Sequence, residues 1–290
     1  MFSLSPHSVI PSKCTTSNFN LAAIIRRPYW VIPCYLVKII ICIMLSSCIA
    51  SSNIQAYIID GTYIAMYFGN DYVVIGGDSR GTHLEQDSSE DDICKIVPLS
   101  KTVIFFGLGI TVGPEFNARD IARNAERTVG DDTDLEKIGE QWGAHMVRAL
   151  EIISGNHAAA LVERNKKWGD VGAGIFVAMI GGHLSMYRVA IKMSDQIAAP
   201  MKFINSGAPI AQPDKRIAYF GNQATSHAFI ENHAPRTYEA NEAGAYIAEL
   251  VSFVEKKSGD PEVGGPVTIM ILDSNSGAHW FRRPDFCPEK

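Results

Sequence analysis

The chain has little of what would tie it to a metal, a dithiol centre or a nucleic acid. It contains no HExxH and no CxxC, and its eight histidines are scattered without paired His/Cys spacing. Metal and dithiol sites need such clustered nitrogen and sulfur ligands, so none is expected, and no cofactor is expected either. A basic excess is missing too. Lys and Arg total 26 against 31 Asp and Glu, for a net charge of −5. That excludes the basic face with which non-specific nucleic-acid binders displace counterions, so no nucleic-acid partner is expected. Cysteine is scarce after residue 48, where only Cys94 and Cys287 remain. Export would allow a disulfide between them; two unpaired thiols are the expectation. Long apolar runs are also absent. Residues 31–50, VIPCYLVKIIICIMLSSCIA, are split by Lys38, which leaves residues 39–45 uninterrupted. A membrane span needs ~20 apolar residues.

What remains is a 290-residue chain with 47% hydrophobic and 20% charged residues, the balance of a globular protein with a sizeable core. One large domain with an extension suits that length. The extension, residues 1–60, carries Arg26 and Arg27, then the short apolar run, then small residues. That order fits a secretory signal peptide. Two cleavage readings compete: after Ile54-Gln55-Ala56, or at Leu45-Ser46-Ser47-Cys48, which resembles a bacterial lipobox with Cys48 as the lipidated residue. An uncleaved anchor is the third. The domain is thus expected to be exported or held at a membrane by this segment, and cytoplasmic if the segment is not a signal.

Residues 61–290 read as α+β. Strands are expected at 57–68, 72–77, 101–106, 173–180, 184–191, 216–220, 267–273 and 278–281, from their β-branched and aromatic content and the turns between them. Helices are expected at 114–129, 134–154, 225–231 and 240–257. The second has the clearest stripe: Leu135, Ile138, Trp142, Met146, Leu150 and Ile153. Strands in one run and helices in the next imply segregated layers, here two antiparallel sheets between two helical layers. No internal repeat and no interior linker interrupts the domain.

The informative string is GTYIAMYFGNDYVVIGGDSRGT, residues 61–82. It resembles the opening of a proteasome β subunit, a family of N-terminal-nucleophile hydrolases: Gly-Thr, a strand, a turn, an apolar strand, then Asp-Ser-Arg. The resemblance implies the four-layer α-β-β-α sandwich of that family and runs from about Gly61 to Asp273. It also implies roles. Cleavage of the Gly61–Thr62 bond would free Thr62, whose hydroxyl is the nucleophile and whose α-amine, with an ordinary pKa near ~8, is the base. Asp78 follows sixteen positions later, with Arg80 beside it. Lys95, in DDICKIVPL, matches the family's lysine after a one-residue insertion; its charge would lower the pKa of the hydroxyl and amine, and Asp78 would hold it in place. Gly109, fourteen residues past Lys95, matches the glycine whose N–H faces the oxyanion. Asp260 and Gly264-Gly265, in DPEVGGPVTIMILD, match a segment that supports the amine. Two departures stand out: Val263 occupies the place of one family serine, and Asn222 or Gln223 that of another.

The resemblance therefore implies a threonine-type peptidase or amidohydrolase matured by self-cleavage before Thr62. Its partners would be a peptide or small-amide substrate and further copies of itself in a homo-oligomeric ring. A non-catalytic assembly subunit and an amidohydrolase of a small amide are the alternatives. The first differs by leaving Thr62 internal.

Overall fold

Alternation of apolar side chains sets the architecture. In strand β1 (Ile64–Phe68), Ile64, Met66 and Phe68 enter one core while Ala65 and Tyr67 enter another. Every residue of the strand is buried, so both of its faces are covered. The computed structural model describes residues 59–60, 63–83, 89–113, 116–131, 134–194, 201–211 and 216–289, all within one unit, Gln55–Lys290. The expected signal segment, Cys48 and the Gly61–Thr62 pair lie outside them.

The remaining strands of the two large sheets are β2 (Tyr72–Gly77), β3 (Ile96–Pro98), β4 (Val103–Gly109), β5 (Gly172–Ile180), β6 (His183–Met193), β7 (Phe203–Pro209), β8 (Ile217–Phe220), β9 (Thr268–Asp273) and β10 (Gly277–Arg282). The described helices are α1 (Ala118–Val129), α2 (Leu135–Trp168), α3 (Gln223–Asn232) and α4 (Ala240–Lys257). One five-stranded sheet has the order β8-β1-β2-β9-β10 and the other β7-β6-β5-β4-β3, with every pairing antiparallel. The chain is thus a mixed α and β protein with antiparallel sheets. Three cores accompany them. Residues of both sheets, among them Met66, Ile75, Met270, Ile104, Phe106 and Val177, share one. Ala65, Tyr67, Val74 and Ile269 pack with Ile247, Leu250 and Val254 of α4 in a second. Phe105, Phe176 and Val189 pack with Ala122 of α1 and Ile138, Trp142 and Met146 of α2 in a third.

Local chemistry explains most helix ends. The Asn117 side chain accepts the Arg119 N–H at 3.0 Å and starts α1. Gly130, with φ of 66°, ends it. Helix α1 therefore begins four residues later than Pro114, where the sequence pattern places it. Asp134 accepts from the Lys137 N–H and starts α2. Helix α2 does not stop at Ser154. It runs 34 residues to Trp168 through a kink at His157, where φ and ψ are −122° and 22°.

Strand β7 was not expected from the sequence. Apart from Phe203 its residues are exposed, so no alternation announces it. The expected pair of unpaired thiols is also overturned: Cys94 and Cys287 form a disulfide with their Cα atoms 5.2 Å apart, both 2% exposed. Among the described residues no helix is long and apolar enough to cross a membrane.

Candidate functional site

Asp78 follows directly on β2, and Lys95 directly precedes β3 in the other sheet. Between them lies a buried ion pair, with Lys95 Nζ 2.8 Å from Oδ1 and 2.9 Å from Oδ2 of Asp78. The side chains are 2% and 1% exposed. Asp78 is satisfied from several directions. Its Oδ1 accepts the Tyr63 N–H at 2.7 Å, and its Oδ2 accepts the N–H groups of Gly264 and Arg80, each at 3.2 Å. In return the Asp78 N–H donates to the Tyr63 carbonyl at 3.2 Å. Burial pushes the Asp78 carboxyl above its ordinary value and the Lys95 ammonium below its own, and their mutual attraction opposes both shifts.

Tyr63, the residue after Thr62 in the chain, is thus fixed through its backbone by Asp78. Its side chain is fixed as well: the Ser226 hydroxyl of α3 donates to the Tyr63 hydroxyl at 2.8 Å. Arg80 supports the same corner. Its guanidinium grips Asp91 twice, at 2.7 and 3.0 Å. It also lies flat on Gly264, where a Cβ would meet Arg80 Cζ at 2.5 Å. A side chain at Gly264 would displace that cation, and with it the N–H bound to Asp78.

A cleft of about 580 Å³ opens beside this pair. Gly109, Asp260, Val263, Asn222 and Gln223 all line it. Asp78 and Lys95 sit behind its wall. Gly264, which binds Asp78, follows Val263, and Gly107, whose N–H donates to the Lys95 carbonyl at 3.4 Å, lies two residues before Gly109. Gly109 itself has φ of 75°, and a Cβ there would lie 2.6 Å from Arg164 Nη2 and 2.9 Å from the Val171 carbonyl oxygen. Only glycine fits that conformation and that space.

Asp260 belongs to the cleft rather than to the ion pair. Its Oδ1 accepts the Glu262 N–H at 3.0 Å and its carbonyl accepts the Val263 N–H at 3.2 Å, so it shapes the turn that carries Val263. Asn222 caps α3 by accepting the Thr225 N–H at 3.1 Å. Val263 is 4% exposed and belongs to the core shared with α4. Thr62, the expected nucleophile, lies outside the described residues.

Sequence reasoning missed Arg164, Trp168, Asp170 and Arg188, which also line the cleft. Arg164 is 8% exposed and donates through Nε to the Val171 carbonyl at 2.9 Å. Burial pushes its guanidinium down to about 10. Arg188 and Asp170 pair at 2.5 Å. The missed signal was the buried stripe of α2, which continues past Ser154 through Leu161 to Arg164. Among the described residues no group of three or more His, Cys, Asp or Glu side chains is arranged to hold a metal.

No protein-family model matches the chain, and no curated protein matches it. The chain is similar to Anbu. The solved structure concerned is the Anbu (Gly-1) mutant from Hyphomicrobium sp. strain MC1. It is 14% identical, with 79% of this chain and 89% of that chain covered, at a TM-score of 0.46.

Proposed function

We propose that the chain is a proteasome-like threonine-type amidohydrolase acting on peptides and matured by cleavage between Gly61 and Thr62. One observation carries the reading. A buried Asp78–Lys95 pair receives the backbone N–H of Tyr63, so the charge pair and the start of the domain meet at one point. A buried ion pair is a costly feature, and burial of this kind at a cleft is what tuned catalytic groups require. In this reading the Thr62 hydroxyl attacks the amide carbon and passes its proton to the α-amine. The Gly109 N–H takes the oxyanion. The amine then delivers the proton to the leaving nitrogen, and water hydrolyses the ester left on Thr62. Lys95 biases the hydroxyl toward losing its proton, Asp78 orients Lys95 and the Tyr63 amide, and Asp260 holds the turn beside the cleft.

The three cores support a four-layer arrangement, with α1 and α2 on one sheet, the two sheets face to face, and α4 on the other sheet. Pairing of Ile59–Asp60 with Thr82 and His83 places the residues just before Gly61 in an antiparallel ladder, as a chain held for cleavage would be. We further propose export through the segment at 31–50, with Cys48 as a lipid attachment point in a bacterial host, and assembly of further copies into a ring. The Cys94–Cys287 disulfide supports export, since such bonds persist in oxidising compartments.

A second reading, a non-catalytic subunit of the same fold, has specific support. Val263 offers no hydroxyl, and the Asn222 side chain is committed to capping α3. Mass spectrometry of the mature protein separates the two. The enzymatic reading expects Thr62 at the N-terminus, and Thr62→Ala should abolish both self-cleavage and hydrolysis of a fluorogenic peptide panel. A mature chain beginning at Cys48 or Tyr57, with no uptake of a threonine-directed covalent inhibitor, establishes the non-catalytic one.

A further inference from the structure

Lys95 lies on an irregular stretch, residues 92–95, that only becomes a strand at Ile96. The Ile93 N–H donates to the Ser79 carbonyl at 3.0 Å, and the Lys95 carbonyl accepts from Gly107 at 3.4 Å. Arg119 Nη1 reaches the Cys94 carbonyl at 3.4 Å. Successive side chains of an extended chain point to opposite sides. Cys94 accordingly enters the core beneath α1 and α2, while Lys95 turns the other way to Asp78.

The covalent anchor at this point is the bond from Cys94 to Cys287. Cys287 lies beyond the last strand, in a segment folded on itself. Its N–H donates to the Pro284 carbonyl at 3.0 Å, and Arg283 Nη1 donates to the Cys287 carbonyl at 3.2 Å. Phe286 packs on the same core as Cys94, and Trp280 Nε1 donates to the Glu289 carbonyl at 3.3 Å. The end of the chain is thereby fastened to the residue next to the lysine.

We propose that the Cys94–Cys287 disulfide is a positioning element for Lys95, so that the C-terminal segment serves the reaction from behind the cleft. The effect on turnover rests on the enzymatic reading above; the effect on the 92–97 segment does not. Misplacement of a catalytic group by about 1 Å costs on the order of 100-fold. Loss of the disulfide should therefore lower kcat about 10- to 100-fold. KM should change less than about twofold, because neither half-cystine nor Lys95 lines the cleft. The pH profile should move as well. Among the described residues, the charges of Asp78, Arg80 and Asp91 act on Lys95. A loosened segment admits water, which relieves the burial that lowers the Lys95 ammonium, so the alkaline limb of kcat should shift to higher pH.

The test uses the full chain, oxidised, beside Cys94→Ala, Cys287→Ala and the double variant. Hydrogen exchange of residues 92–97 is read against strand β5, together with kcat, KM and the pH profile. If the variants do not fold, dithiothreitol replaces them. Its two thiols reduce the disulfide to Cys94 and Cys287 thiols and leave as a cyclic disulfide, a reaction followed by the gain of two titratable thiols. Faster exchange confined to 92–97, with a fall in kcat and a displaced alkaline limb, supports the proposal. Unchanged exchange at 92–97 overturns it even if the protein hydrolyses nothing. Active variants with the kcat and pH profile of the wild type overturn it too. Faster exchange at 92–97 in a protein that has no hydrolytic activity in any form sustains the anchoring of Lys95 and removes the enzymatic reading instead.

Discussion

Replacing Asp78 with Asn keeps the size of the side chain and removes its charge. The consequences follow from what converges there. Lys95, Tyr63, Arg80 and Gly264 all donate to this one carboxylate. An amide offers one oxygen and two hydrogens, so at least one backbone donor is left facing another donor. Each buried donor left unmade costs about 1–3 kcal/mol. Lys95 loses its counter-charge, and breaking a buried pair costs about 3–5 kcal/mol. A ceiling exists on the lysine's share, because it can shed its proton. From its ordinary value of 10.5, being neutral at pH 7 costs about 4.8 kcal/mol at about 1.36 kcal/mol per pH unit. At pH 9 the same ceiling is about 2 kcal/mol.

The sign follows directly. In the variant the folded-state value of Lys95 falls further below that of the unfolded chain. The unfolded chain then binds more protons in the window below 10.5, and stability rises with pH there. Urea denaturation at pH 7, 8 and 9 should therefore show Asp78→Asn about 3–5 kcal/mol less stable than wild type at pH 7, with the gap narrowing toward pH 9. A loss below about 1 kcal/mol at pH 7, or a gap that does not narrow, refutes the reasoning.

Other outcomes can be stated briefly. Gly109→Ala should lose about 1–2 kcal/mol in a urea melt from its left-handed backbone alone, with more from the Val171 carbonyl, and hydrolysis should fall about 100- to 1,000-fold. Asn222→Ala removes the cap of α3 and should cost about 1 kcal/mol by thermal or urea melting without touching the Asp78–Lys95 pair. Lys95→Arg should not restore the turnover lost in Lys95→Ala, because the guanidinium is broader and more rigid than the ammonium it replaces; initial rates on the peptide panel decide this. Val263→Ser should raise hydrolysis or inhibitor uptake, and a lowered rate would count against an amine near position 263.

Much of the framework could be read from the chain because burial is periodic. Strands β1, β2, β5 and β9 are nearly continuous apolar runs, and α4 carries its stripe openly. The end of α2 was hidden by Gly155 and Asn156, which read as a stop but are carried through the kink at His157. Strand β7 was hidden for the opposite reason. FINSGAP has Ser, Gly and Pro and almost no buried face, and only its pairing with β6 makes it a strand. The meeting of Asp78 and Lys95 was implied by the resemblance of residues 61–109 to the proteasome β family. The amides of Tyr63 and Gly264 were not, since backbone donors leave no mark in a sequence. Arg164 was missed because the helix that carries it was cut short. The disulfide stood in the sequence only as the alternative to two unpaired thiols, because pairing of residues 193 positions apart is decided by the fold.

That same disulfide has a mechanical consequence. It closes a covalent ring from Cys94 to Cys287 that contains twelve of the fourteen principal elements, leaving only the hairpin β1–β2 outside, on the N-terminal side. Pulled by its two ends, the oxidised protein can extend only what lies outside the ring. The described part of that stretch before the ring is residues 59–60, 63–83 and 89–93, which is also where Tyr63 and Asp78 reside. At about 3.6 Å per extended residue, residues 63–93 yield about 110 Å, whereas residues 63–289 of the reduced chain yield about 820 Å. Under load the oxidised chain thus peels at the hairpin holding the carboxylate, while the lysine stays with the closed ring.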